Sequence, residues 1–243
     1  LDVFQNIPLA VSTDLDASVT LARAIEDVLA WLTGIKPVTS QAALYQVSLV
    51  TRLGRFAGQI TSHFSRRNSS GHSRKALLYL ACLSGRDPNL VSRQLGLSRV
   101  EGGFIEEIHR GQQGISQMIN TGQQLENVEI YRYFNEYPSA GIDLAVIELA
   151  RFTSRIGCEF IPDEWENLVF VCLRLLETWF ERKELVNPIL PVDGNDLMAF
   201  LHCEPGPRIG EILAEMKEES VRRSEFTREE ALDWIQDRYN TPA

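Results

Sequence analysis

Apolar residues recur along this chain at three- and four-residue spacings, and no stretch alternates strictly enough to build a sheet. Leu21, Ala24, Ile25, Val28, Leu29 and Leu32 put one apolar stripe on a helix over about 17–32, which Gly34-Ile35-Lys36-Pro37 ends. A longer helix over about 40–64 follows from Leu44, Val47, Val50, Leu53, Phe56 and Ile60, with Gly54 and Gly58 as its weak points. Residues 76–84 are apolar on nearly every side, which predicts a short, deeply buried helix. Further helices are expected over about 88–95, 99–120, 142–155 and 163–183. Ser98 with Glu101, and Thr227 with Glu230, have the spacing of capping boxes. In the last quarter, Asn195 or Asp196 is expected to cap a helix starting near Leu197. Pro207 suits the first turn of a helix over about 208–220, whose Ile209, Ile212, Leu213 and Met216 share a face. The expected fold is all-α, with a multi-helical body over residues 1–184 and a small helical tail over 185–243.

Charge narrows what such a bundle can do. A net charge of −9 argues against coating a nucleic acid by bulk attraction and confines any such contact to local patches. The clearest patch is the acid-free stretch SRRNSSGHSRK at 65–75, with Arg66, Arg67, Arg74 and Lys75, flanked or joined by His63 and His72. The plain alternative for it is a solvated, flexible loop. Residues 189–243 carry 12 acids against 6 bases, so contact there would be confined to Arg208 or to Arg222 and Arg223. Backbone N–H groups at the helix start beside Arg208 could also meet a phosphate. Four scattered cysteines without a CxxC pair read as reduced thiols in the cytoplasm. No apolar run reaches the roughly 18 residues of a membrane span. The four histidines lack ligand spacing and read as surface or satisfied core residues. Asp14-Leu15-Asp16 reads as a helix cap by Asp14 or Asp16. Phosphate-loop, nucleophile-elbow and HExxH patterns are missing, so no catalytic residue and no metal ligand is assigned.

Three segments in order, DGNDLM (193–198), PGPRIGEIL (205–213) and TREEALDW (227–234), resemble the C-terminal end of bacterial tRNA nucleotidyltransferases, the CCA-adding and poly(A)-polymerase family. A second layer, LDVFQNIPLAV (1–11), ALLYLACLSGRDP (76–88) and AGIDLAVIELARFTS (140–154), resembles an HD-type helical domain. Where that pattern has its metal ligands, this chain has Asn6, Cys82-Leu83 and Arg151. The resemblance therefore implies a degenerate HD scaffold without phosphohydrolase activity, since Asn, Leu and Arg cannot supply a hydrolytic metal site. It implies that the chain holds the tRNA acceptor region while an N-terminal catalytic head adds CCA, or part of it, to the 3′ end. That head, with its Gly-rich loop, Asp-x-Asp pair, Mg2+ and ATP or CTP, is expected outside this sequence, which opens on Leu1 and reads as part of a longer protein. The alternative is a non-catalytic HD-like module for interaction or regulation.

Overall fold

The structure is a computed structural model that describes residues 15–35, 43–84, 87–121, 125–155, 161–223 and 225–239. Its helices are α1 (Leu15–Leu32), α2 (Ala43–Leu53), α3 (Ala57–Ser65), α4 (Arg74–Leu83), α5 (Pro88–Gln94), α6 (Arg99–Arg110), α7 (Gly114–Thr121), α8 (Asn127–Glu136), α9 (Gly141–Arg155), α10 (Pro162–Glu181), α11 (Lys183–Val186), α12 (Gly194–Leu201), α13 (Pro207–Arg222) and α14 (Arg228–Tyr239). Outside them an isolated antiparallel bridge joins Arg67 and Ser73. The all-α expectation holds.

α9 is the axis of the larger core. Every residue from Gly141 to Ile147 is buried, and α1 and α10 pack along its sides. Wrapping by neighbours on all sides suits an almost wholly apolar sequence, and makes the one acid in that run, Asp143, conspicuous. Helices α1 to α4 and α6 to α10 supply this core, with Trp165, Phe56 and Phe134 among its largest fully buried side chains. A second, smaller core gathers Val192, Leu197, Ile209, Ile212, Met216, Ala231 and Ile235 from the last three helices and the turn before them. Val128 and Tyr131 of α8, Leu185 of α11 and Val221 of α13 form the seam between the two. Arg132 on α8 reinforces the seam with a forked ion pair to Glu218 on α13, Nε to Oε1 at 2.9 Å.

Several sequence expectations are corrected. The helix foreseen over 40–64 divides at a 3-10 turn, Gly54–Phe56, where glycine weakens the ladder. Its buried face is also one step out of phase over residues 44–50, while Leu53, Phe56 and Ile60 are buried as foreseen. Tyr45, Leu49 and Leu53 point inward at i, i+4 and i+8, while Leu44, Val47 and Val50 are exposed. The helix foreseen over 99–120 divides at Gly111–Gln113. A Cβ on Gly111 would lie 2.2 Å from Leu144 Cδ1, so only glycine allows α9 to come this close. The residue capping α12 is Asp193, whose carboxylate accepts from the N–H groups of Asn195 and Asp196 while Asp196 reaches back to the Asp193 N–H. Asp16 lies in the first turn of α1, and Asp14 and Asn6 lie outside the described residues. The capping boxes at Ser98–Glu101 and Thr227–Glu230 form as foreseen.

Candidate functional site

The basic stretch 65–75 is a pinned corner between α3 and α4. Asn68 N–H donates to the His72 carbonyl at 3.0 Å, Arg74 N–H donates to the Arg66 carbonyl at 2.9 Å, and Gly71 takes the left-handed φ of 86° that the turn needs. Ser73 caps α4 by accepting from the Ala76 N–H, so Arg74 and Lys75 belong to the first helical turn and not to a loop. Cations at a helix N-terminus oppose the macrodipole. Each has an anion that offsets this: Lys75 pairs with Glu26 at 3.1 Å, and Arg74 with Asp143.

Two buried carboxylates hold the corner. Glu101, on α6 and 1% exposed, accepts from the backbone N–H and hydroxyl of Ser98, and from His72, Asn68 and Ser70. Burial pushes its pKa up, but the donors from Ser98, His72 and Asn68 outweigh that and hold it at about 2. Asp143, fully buried at the start of α9, takes Arg74 Nε at 3.0 and 2.9 Å, one on each oxygen, and the terminal nitrogen at 2.6 Å. His63 Nε2 lies 3.1 Å from the same carboxylate. The Arg74 guanidinium also lies over the Phe104 ring and bonds the Ser139 carbonyl. The carboxylate under α4 therefore fixes both Arg74 and His63.

Neighbouring cations are left uncompensated. Arg66 is exposed, with no acidic partner among the described residues, and Arg67 bonds only the Gly71 carbonyl of its own turn, at 2.8 Å. Two concavities flank α3. One, of about 780 Å³, is lined by His63, Arg66 and Arg74 together with Trp179, Phe180 and Lys183. The other, of about 500 Å³, includes Arg67 and Lys75 in its lining. The predicted cluster is thus split by the hairpin, with Arg66 and Arg74 on one side and Arg67 and Lys75 on the other. Lys183 completes the first concavity and was missed in the sequence, because over a hundred residues separate it from the loop.

The tail candidates are placed differently. Arg208 is exposed in the first turn of α13. Arg222 pairs with Glu219 at 3.3 Å and Arg223 with Glu219 at 2.7 Å, so their charge is largely balanced within one helix. The DGND turn is tied to α14 by Arg228, whose guanidinium meets Asp196 at 2.6 Å; this pair is the main reason the Asp196 carboxyl sits low, at about 2.

Of the HD-like positions, Cys82 and Arg151 converge. Burial pushes the Cys82 thiol up to about 12, and Arg151 is near enough to pull it down in part. Arg151 is itself paired with Glu148 at 2.7 Å. His109 Nε2 lies 2.7 Å from the Ser84 hydroxyl, and burial lowers its pKa.

Two helical cores, the pinned basic corner and a tail closed on its own ion pairs define an all-α domain. The family model of tRNA nucleotidyltransferase domain 2 matches residues 69–235, and the chain belongs to that family. No curated protein and no solved structure matched the chain.

Proposed function

We propose that this chain is the tRNA-holding part of a tRNA nucleotidyltransferase, with its principal RNA contact at the α3–α4 corner. The observation that carries this reading is the pair Arg66 and Arg67, uncompensated cations on a turn made rigid by Glu101, in a family member whose overall charge is negative. Folded RNA is recognised largely through its phosphates and its shape, which a rigid array of donors reads better than a mobile one. Arg74 and Lys75, committed to Asp143 and Glu26, orient that array, and Arg208 offers a secondary contact on the tail. Arg222 and Arg223, paired with glutamates, contribute less.

The nucleotide addition itself, of CCA or part of it, is assigned to a catalytic head that would use Mg2+ with ATP or CTP. Among the described residues no group of three or more His, Cys, Asp and Glu is placed to hold a metal ion, so no chemical step is derived from them. The scaffold is read as a degenerate HD domain, supported by the meeting of Cys82 with the cation of Arg151, which repels a metal. A cytoplasmic location fits a tRNA substrate and the free thiols of Cys82, Cys172 and Cys203. Among the described residues no helix is long and apolar enough to cross a membrane.

The test is the anisotropy of a labelled tRNA titrated with the protein over a range of salt. Arg66→Glu with Arg67→Glu is expected to weaken binding roughly tenfold or more and to shallow the salt slope by about 0.7–0.9 for each phosphate no longer neutralised. An unchanged affinity and slope would rule the corner out.

A further inference from the structure

The concavity between α3, α10 and α11 has more chemistry than a phosphate backbone requires. Arg66, just past α3, and Lys183, at the start of α11, both line it, and neither has an acidic partner among the described residues. No acid lines it. Trp179 and Phe180, consecutive on α10 and both half-buried, offer aromatic surface, and Asn187 at the end of α11 adds an amide. Trp179 is braced by Phe134 at 5.2 Å between ring centroids, and Phe180 by Phe56 at 6.0 Å. His63 is held at the wall by Asp143. The volume of about 780 Å³ lies within the roughly 300–1,000 Å³ of small-molecule sites.

We infer that this concavity binds one nucleoside phosphate, with its base against Trp179 and Phe180 and its phosphate between Arg66 and Lys183. Cations alone would suit any anion, and rings alone any apolar group. Their presence in the lining of a single cavity suits a ligand that is flat and apolar at one end and anionic at the other. A free mononucleotide and an unstacked nucleotide of an RNA strand share that chemistry. The inference goes beyond tRNA holding and does not depend on it, because a chain that ignored tRNA would still present this pocket.

Gly58 supplies a clean probe. It lines the concavity, and a Cβ placed on it meets nothing within 4 Å. A larger side chain there would enter the cavity without striking the core, and replacing a helical glycine favours the helix. The experiment is calorimetric titration of the full chain with AMP, CMP and inorganic phosphate, using wild type, Gly58→Leu and Lys183→Gln. AMP or CMP is expected to bind wild type, and Gly58→Leu to weaken it roughly tenfold or more, with circular dichroism and melting temperature unchanged or raised. Lys183→Gln is expected to weaken both nucleotides and phosphate. Added tRNA then distinguishes the sources: displacement of the bound AMP assigns the pocket to a nucleotide of the RNA, and binding alongside it assigns the pocket to a free nucleotide. Absence of AMP and CMP binding at millimolar concentration overturns the inference, even where tRNA binds normally. Phosphate binding as tightly as AMP overturns the aromatic half of it. Equal AMP affinity in Gly58→Leu and wild type overturns its location.

Discussion

The α3–α4 corner and the helical tail carry similar numbers of cations and use them in opposite ways. In the tail Arg222, Arg223, Arg228 and Arg238 each meet a carboxylate on exposed faces, the first two along α13 and the last two between helices. At the corner two carboxylates, Asp143 and Glu101, are buried and hold Arg74 and the backbone, Glu26 meets Lys75 at the surface, and Arg66 and Arg67 remain available. The difference follows from solvation. An exposed pair is screened and contributes little, whereas a buried carboxylate must be fully satisfied and so dictates the geometry around it. Charged residues in the tail therefore hold it closed, and those at the corner build a surface.

The sharpest way to break this contrast is Asp143→Ala, which strands Arg74 and His63. It is expected to destabilise the fold by about 3–5 kcal/mol in urea denaturation. A loss below about 1 kcal/mol would place Asp143 with the tail pairs. Next is Glu101→Ala, expected to lose about 2 kcal/mol and the hydrogen-exchange protection of the 66–73 turn while leaving the tail amides protected. Because Glu101 titrates at about 2 in the folded chain against an ordinary 4.5, its contribution is full above pH 4.5 and fades as pH falls towards 2. An acid titration of turn protection should show that fading in wild type and not in Glu101→Ala. The smallest effect is expected at the seam, where Arg132→Ala removes a pair with more than half of the Arg132 side chain exposed. Its cost in the same urea experiment should stay within about 1 kcal/mol.

Much of the scaffold was legible in the sequence because helical periodicity and caps are local. The stripe of α1, the capping boxes at Ser98 and Thr227 and the proline opening α13 all come from residues within a turn or two of one another. What failed was set by distant partners. Leu44, Val47 and Val50 lead into Leu53 as well on paper as Tyr45 and Leu49 do, and only packing against other helices decides between them. Gly111, where its helix breaks, leaves no room for a Cβ because Leu144 lies against it. The basic cluster was visible as composition, but its division into committed and available cations depends on Asp143, Glu26 and Glu101, which are remote in the chain. Asp143 did leave a signal: a single acid in the apolar run GIDLAVI is either badly placed or buried on a partner. The tail taught the converse. Its DGNDLM segment carried the family likeness only together with PGPRIGEIL and TREEALDW, and the DGND carboxylates close a turn and an inter-helix pair.

The most direct measurement compares two charge reversals on the same tRNA, at several salt concentrations. The variants are Arg66→Glu with Arg67→Glu at the corner, and Arg222→Glu with Arg223→Glu on the tail. The corner variant is expected to lose roughly tenfold or more in affinity with a shallower salt slope, and the tail variant to stay within roughly threefold of wild type. A tail variant that loses as much as the corner variant, or more, would contradict the assignment of the RNA contact to the α3–α4 corner.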